Sequence, residues 1–180
     1  MKLYREFFSY VIPSLLAFAL SGVYCIVDGF FVGNSIGDVG LTTINIAYPA
    51  VALLQAAGTG IGMGGAVHYS IRLAAGKKEE AERYIDGTII LLLAASLVST
   101  LVFYLAAPAI LQALGASGHI LELGNSYLRI IVLGSVFQIF GTGLVPLIRN
   151  MGGAFYAMMI MVAGFLTNIV LDYAFVWVLH

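Results

Sequence analysis

Long apolar runs, separated by short polar breaks, follow one another along the whole chain. A helix needs about 20 mainly apolar residues to cross the hydrocarbon core of a bilayer, and five runs reach that length. None of them shows the alternation of polar and apolar residues that is typical of a membrane β-barrel. The pattern predicts an all-α, polytopic membrane helix bundle with about five transmembrane helices. The predicted helices span about 8–32, 41–68, 86–110, 124–148 and 155–179.

The breaks between the runs are polar, and most contain glycine, as turns and loops do. The longest break, about residues 72–83, is a cluster of Lys, Arg and Glu that is too short to form a soluble domain. Lys2 and Arg5 resemble the basic start of a signal peptide. The apolar run after them continues to Val32, however, which is too long for a cleaved signal. The sequence therefore predicts a retained first membrane helix.

The composition agrees with a membrane protein. The chain is 61% hydrophobic and only 9% charged, with a mean hydropathy of +1.01, whereas soluble domains carry roughly a quarter charged residues. Cys25 is the single cysteine, which excludes an internal disulfide and argues against a zinc or thiol-redox site. The net charge of −1 offers no basic surface to a nucleic acid. The lipid bilayer is the expected partner.

The distribution of Lys and Arg predicts how the helices are oriented. With the N-terminus inside, the outer segments hold Asp38, His119 and Glu122, and Arg129 lies just within the fourth helix. The inner segments then hold seven basic residues, and the outer ones at most one, Arg129. This asymmetry follows the positive-inside rule, and it predicts a multi-pass protein of the cytoplasmic (inner) membrane with its N-terminus inside. The basic residues of the inner segments are Lys2, Arg5, Arg72, Lys77, Lys78, Arg83 and Arg149.

Two aspartates, Asp28 and Asp172, lie within apolar segments. A carboxylate inside a membrane helix costs about 3 kcal/mol by insertion scales and is usually paired or functional. At about 1.5 Å per residue, the two differ in depth by only about 5 Å. Each has a polar residue one turn away on the same face, Tyr24 and Asn168 respectively. If the first and fifth helices touch, these four residues form one cluster.

Such a cluster suits the coupling of a cation. Burial and a nearby like charge both favour the neutral form of a carboxyl group, so the pair can hold a proton. The oxygens of Asp28, Asn168 and Asp172 could instead hold Na⁺. H⁺ or Na⁺ is thus the expected coupling ion, with no other cofactor or metal. The alternative is that each aspartate is a structural group tied to neighbouring helices. Asn45, in the second helix at a similar depth, is a candidate cavity residue.

A run of glycines at positions 58, 60, 62, 64 and 65 lies inside the second predicted helix. A dinucleotide-binding loop would need a preceding strand, which a membrane helix does not provide. Small residues in membrane helices allow neighbouring helices to approach closely. The run therefore predicts helix packing.

A series of motifs along nearly the whole chain resembles, in sequence and in order, the motifs of the multidrug and toxic compound extrusion (MATE) family. Each motif is weak alone, but the combination on these helices is specific. The motifs are Val27-Asp28-Gly29-Phe30-Phe31-Val32-Gly33, Ile36-Gly37, Ala47-Tyr48-Pro49, the glycine run, Gly76-Lys77-Lys78-Glu79-Glu80-Ala81, Tyr127-Leu128-Arg129-Ile130 and Asn168-Ile169-Val170-Leu171-Asp172.

The resemblance implies two six-helix lobes that export organic cations or drugs in exchange for H⁺ or Na⁺. Asp28, Asn168 and Asp172 match a cation site in the N-terminal lobe of one branch of the family. Tyr24 matches a tyrosine bonded to the first of these aspartates. Pro13 matches a proline associated with bending of the first helix, and its missing N–H permits a kink.

The resemblance also predicts what residues 1–180 lack. A complete member has twelve helices, so the chain corresponds to an incomplete six-helix N-terminal lobe, with the sixth helix and the second lobe absent. The chain is then a fragment of a secondary active transporter. We expect transport to require the missing C-terminal helices or a partner chain.

Other functions remain as alternatives. A lipid-linked saccharide flippase of the same superfamily should place basic residues in its cavity, whereas every Lys and Arg here maps to a loop or a helix end. A non-catalytic membrane subunit also fits. An intramembrane aspartyl protease needs two aspartates, but its Gly-x-Gly-Asp context is absent around Asp28 and Asp172. No zinc-protease or nucleophile-elbow motif is present either, so we expect no enzyme.

Overall fold

The computed structural model describes residues 2–35 and 37–178, and this described part forms helices and no strand. All four prolines lie inside helices, as membrane helices tolerate. The α-helices are α1 (Lys2–Ser35), α2 (Gly37–Ala74), α3 (Lys78–Ala113), α4 (Gly118–Ile148) and α5 (Ala154–Tyr173). Two π-helical turns follow α4 and α5, at Arg149–Gly153 and Ala174–Val178.

The number of membrane crossings depends on the segment that holds α4 and α5. Within the described residues, four continuous helical segments are long and apolar enough to span a bilayer, and the longest of them is Gly118–Tyr173. Its 56 residues would extend about 84 Å as one helix, well beyond the hydrocarbon core of about 30 Å. The backbone leaves the helical path at Gly152, where φ is 90°. Division at this glycine gives two helices, in agreement with about five spans.

The helices are longer than the apolar runs that predict them. α3 begins at Lys78 instead of about residue 86, and α4 begins at Gly118 instead of about residue 124. Helical hydrogen bonding continues past the hydrocarbon core, where polar side chains are tolerated, so hydropathy marks only the middle of each helix. The fifth predicted helix differs at its C-terminal end, because the α-helix stops at Tyr173 and a π-helical turn follows. Its expected end at Leu179 lies outside the described residues.

The predicted break of residues 72–83 is mostly helical, and the turn itself is short. Gly76 has a φ of +75°, a conformation that costs a residue with a Cβ. Its N–H donates to the carbonyl of Leu73, and the N–H of Lys77 donates to that of Arg72, both at 3.0 Å. Glu80 then pairs with Lys77 at 2.9 Å and with Arg72 at 3.2 Å. These contacts fix the connection between α2 and α3.

The chain divides into two compact units. The first contains α1, the first residues of α2 and the whole of α5, and α1 packs against α5. The second, residues 42–151, contains the rest of α2 with α3 and α4, and α3 packs along α4. Its core is built from small and aliphatic side chains. The buried members are Ala47, Ala50, Leu54, Leu92, Ala107, Leu111, Ala116, Leu128, Val132 and Ile139.

Glycines allow α2 to approach both neighbours within the second unit. A Cβ added at Gly58 or Gly62 would collide with the backbone of α4, and Gly62 lies directly against Gly143. A Cβ at Gly65 would collide with Thr88 of α3. Gly58, Gly62 and Gly65 follow the spacing i, i+4, i+7 and thus share one face of the helix. The predicted role of the glycine run in helix packing is confirmed at these positions.

The other two glycines of the run behave differently. A Cβ added at Gly60 or Gly64 would meet nothing within 4 Å among the described residues. These glycines therefore leave open space along α2 instead of a helix contact.

Candidate functional site

The first unit brings together the two helices that carry the intramembrane aspartates. α1 packs along α5, as the hypothesis of a shared cluster requires. Tyr24 of α1 stacks on Phe165 of α5, with ring centroids 5.2 Å apart and planes inclined by 12°. Phe165 lies three residues before Asn168 and therefore faces the same side of α5. Sequence reasoning missed Phe165, although an aromatic residue one turn from a polar position was a usable signal.

Asp28 lies one turn beyond Tyr24 on α1, and Asp172 lies two turns beyond Phe165 on α5. Both aspartate side chains are half-buried, and the two carboxyl groups are close enough to repel each other when both are ionised. Tyr24 and Asn168 are half-buried as well. All four predicted residues thus lie on the faces where α1 and α5 meet.

Two oxygen atoms of the cluster are shielded but have no hydrogen bond. Oδ1 of Asn168 and Oδ2 of Asp172 are inaccessible and have no hydrogen-bond partner among the described residues. The two residues are one turn apart, with a rise of about 6 Å along α5. An unsatisfied buried acceptor costs about 1–3 kcal/mol, and such groups call for an explanation. A proton or a small cation bound between these oxygens would satisfy them.

The backbone changes character beside Asp172. The α-helical hydrogen bonding ends one residue later, at Tyr173, and the π-helical turn Ala174–Val178 follows. The N–H of Ala174 is shared between the carbonyls of Leu171 and Val170. π-Helical turns are rare in proteins, but those that occur are often found at functional sites. The turn sets Asp172 at a discontinuity of α5, which sequence periodicity did not predict.

The remaining predicted residues lie elsewhere. Asn45 is an exposed residue of α2 in the second unit. Pro13 is buried inside α1, and the helix continues through it. Bending at Pro13 stays a prediction. Within residues 2–35 and 37–178, His, Cys, Asp and Glu side chains form no group of three that could hold a metal ion.

Arg129 corrects one expectation from the sequence. It was expected at a helix end, but α4 begins at Gly118, so Arg129 lies about 17 Å along the helix. Its guanidinium lies over the ring of Tyr104 of α3, 5.2 Å from the centroid. Its Nε is shielded and has no hydrogen-bond partner in the described part of the chain. The expectation failed because the apolar window placed the start of α4 too late.

Comparison with known proteins identifies relatives along almost the whole chain. The family model described as MatE matches residues 13–174. The multidrug export protein MepA of Staphylococcus saprophyticus is 26% identical over 174 residues, which is 95% of this chain and 38% of that protein. MepA of Staphylococcus haemolyticus is 26% identical over 99% of this chain and 40% of its own length. The chain thus spans about two fifths of these curated relatives.

Solved structures agree with this match. A crystal structure of a MATE protein in a straight conformation superposes with a TM-score of 0.89 at 26% identity, covering 97% of this chain and 38% of the other. The same protein type in a bent conformation gives a TM-score of 0.88 at 27% identity, over 98% and 39%. A transporter of the MOP superfamily from Pyrococcus furiosus gives 0.88 at 28% identity, over 94% and 37%.

Proposed function

Because this chain belongs to the MATE family, we propose that it forms part of an exporter that moves organic cations or drugs across the cytoplasmic membrane in exchange for H⁺ or Na⁺. The curated relatives are multidrug export proteins, which supports the export of drugs. The observation that carries the coupling proposal is the pair of aspartates on α1 and α5, with shielded, unpartnered oxygens on Asn168 and Asp172.

In this proposal the carboxyl pair exists in two states. With a proton bound, the repulsion between Asp28 and Asp172 is relieved, and α1 and α5 can pack closely. When the proton leaves, two like charges in a poorly hydrated site destabilise that packing. The helices then favour a different arrangement, which couples release of the ion to exposure of the drug site. Na⁺ would act in the same way, held by oxygens of Asp28, Asn168 and Asp172.

The orientation is part of the proposal. The seven basic residues of the predicted inner segments support an inside location for the N-terminus and for the α2–α3 connection. Asp28 and Asp172 then lie in the outer half of the membrane, where an ion from outside can reach them.

The flippase alternative gains one observation from the structure. Arg129 lies inside α4 with a shielded, unpartnered Nε, and an anionic lipid-linked saccharide would require such a basic group. It does not displace the antiporter proposal, because the contact between Arg129 and Tyr104 already holds the guanidinium between α3 and α4. Transport assays with both substrate classes separate the two functions.

The test is drug efflux by the full-length product of the gene, measured with a fluorescent organic cation in cells or vesicles. We expect Asp28→Asn and Asp172→Asn each to reduce efflux to background at normal membrane expression, since neither variant can release a proton at that position. Asp86→Asn, which changes an exposed aspartate of α3 in the same way, serves as the control and should keep wild-type efflux.

Two further readouts complete this test. Transport in vesicles under a proton gradient alone, and then under a sodium gradient alone, identifies the coupling ion. Wild-type drug resistance from Asp28→Asn at wild-type expression would exclude the proposed site, and failure of the unmutated protein to export any organic cation would exclude the proposed function.

A further inference from the structure

A cavity of about 480 Å³ lies between α2 and α3 in the second unit, close to the turn that joins them. None of its lining residues belongs to the first unit, which holds the aspartate cluster. α2 runs toward the turn and α3 runs away from it, so the lining residues form two ends. His68, Arg83 and Tyr84 lie at the end near the turn, and Gly60, Ile61 and Leu91 lie at the deep end.

The end near the turn is basic and aromatic. His68 stacks on Tyr84, with centroids 5.0 Å apart and an interplanar angle of 11°. The guanidinium of Arg72 lies 6.0 Å from the centroid of the same ring. Arg83 lines the cavity, and no carboxylate does. An anion would therefore meet positive charge and hydrogen-bond donors at this end.

Two of the acidic residues near Arg83, Glu80 and Glu82, are paired with other cations. Glu80 pairs with Arg72 and Lys77, and Glu82 is 3.7 Å from Lys78. Arg83 forms no ion pair within 4.0 Å with any described residue. It is therefore the basic side chain of this region that remains available to a bound anion.

The deep end is an apolar groove. A Cβ added at Gly60, Gly64 or Gly87 would meet nothing within 4 Å, whereas Gly65 lies directly against Thr88. The helices touch at that contact, and the glycines beside it leave a channel. From position 60 to position 68 the groove is about 12 Å long. Its lining of glycines with Ile61 and Leu91 is apolar, as a hydrocarbon chain requires.

We propose that this cavity binds an anionic phospholipid, with the phosphate at Arg83 and His68 and part of one acyl chain in the glycine groove. Basic pockets between membrane helices at the membrane surface bind anionic lipid headgroups. The proposal rests only on the membrane location of α2 and α3. It is independent of the exported substrate, so failure of the export proposal would leave it unchanged.

The experiment is a titration of the purified full-length protein with phosphatidylglycerol and, in parallel, with phosphatidylcholine, both in mixed micelles. We expect phosphatidylglycerol to bind more tightly. Arg83→Gln should weaken it about fivefold, the usual effect of one basic residue near a membrane surface. Lys78→Gln makes the same charge change outside the cavity and should keep wild-type affinity.

A steric variant gives a second test. Gly64→Leu places a side chain in the open groove, so it should weaken phosphatidylglycerol binding without loss of thermal stability. Inorganic phosphate should not compete with the lipid, because it cannot fill the groove. Equal weakening by Lys78→Gln and Arg83→Gln, unchanged binding to Gly64→Leu, or full competition by phosphate would each overturn the proposal.

Discussion

Polar side chains inside the helices differ in whether their hydrogen bonds are satisfied. Thr100 of α3 and Ser135 of α4 bond to each other at 2.8 Å, and Ser135 is fully buried. Asn168 and Asp172, in contrast, each present a shielded oxygen without a partner in the described residues. A satisfied pair stabilises the packing of two helices. An unsatisfied pair lowers stability unless it binds something, which supports a functional role for the cluster on α5.

This difference predicts separate effects on stability and transport. Ser135→Ala should lower the free energy of unfolding in detergent by about 0.6–2 kcal/mol, because it removes a hydrogen bond between membrane helices. Efflux per folded molecule should stay unchanged. Ser126→Ala is the matched control, since Ser126 is exposed and its bond among the described residues is to a carbonyl of its own helix. A loss of efflux without a loss of stability in Ser135→Ala would contradict the structural role.

α2 has no polar face that distinguishes one of its sides from another. α2 is apolar all round, so hydropathy cannot identify the side that meets a neighbour. The glycines do so instead, because Gly58, Gly62 and Gly65 lie against other helices, whereas Gly60 and Gly64 face open space. The same motif thus contributes both a packing surface and the wall of a cavity.

The two kinds of glycine should respond oppositely to an added methyl group. Gly62→Ala should destabilise the full-length protein by about 1–3 kcal/mol, because its Cβ would press on the backbone of Gly143. Gly64→Ala should be neutral or stabilising by up to about 1 kcal/mol, because alanine restricts the unfolded chain more than glycine does. Thermal unfolding in one detergent compares the two variants. Similar destabilisation by both would show that α2 packs with a different face.

At the scale of the whole chain, the main feature is exposed apolar surface. Large hydrophobic side chains are exposed along every helix, among them Ile26, Ile90, Ile130 and Phe137. A soluble protein rarely exposes apolar patches of this extent. The helices are also long enough to cross a membrane, and the family match, from residue 13 to residue 174, includes part or all of each of the five. The chain is therefore part of a multi-pass membrane protein, whose orientation the basic residues predict.

The proposed orientation can be tested with the single native cysteine removed. In a Cys25→Ala background, a membrane-impermeant thiol reagent added to intact cells should label His119→Cys and should leave Lys77→Cys unlabelled. The α2–α3 turn lies inside and the α3–α4 turn outside in the proposed topology. After the membrane is permeabilised, both positions should react. Labelling of Lys77→Cys alone in intact cells would reverse the orientation.

The sequence by itself determined the helical membrane architecture, the approximate positions of the spans and the family, because length, hydropathy and ordered motifs are local properties of the chain. It also singled out Asp28 and Asp172, since a charge in an apolar run is conspicuous in any fold. Only the tertiary structure decided that α1 meets α5, which glycines of α2 contact a neighbour, and that a basic cavity opens beside them. Helices that are apolar on all sides carry no pattern that specifies their neighbours, so these features depend on side-chain shape and packing in three dimensions.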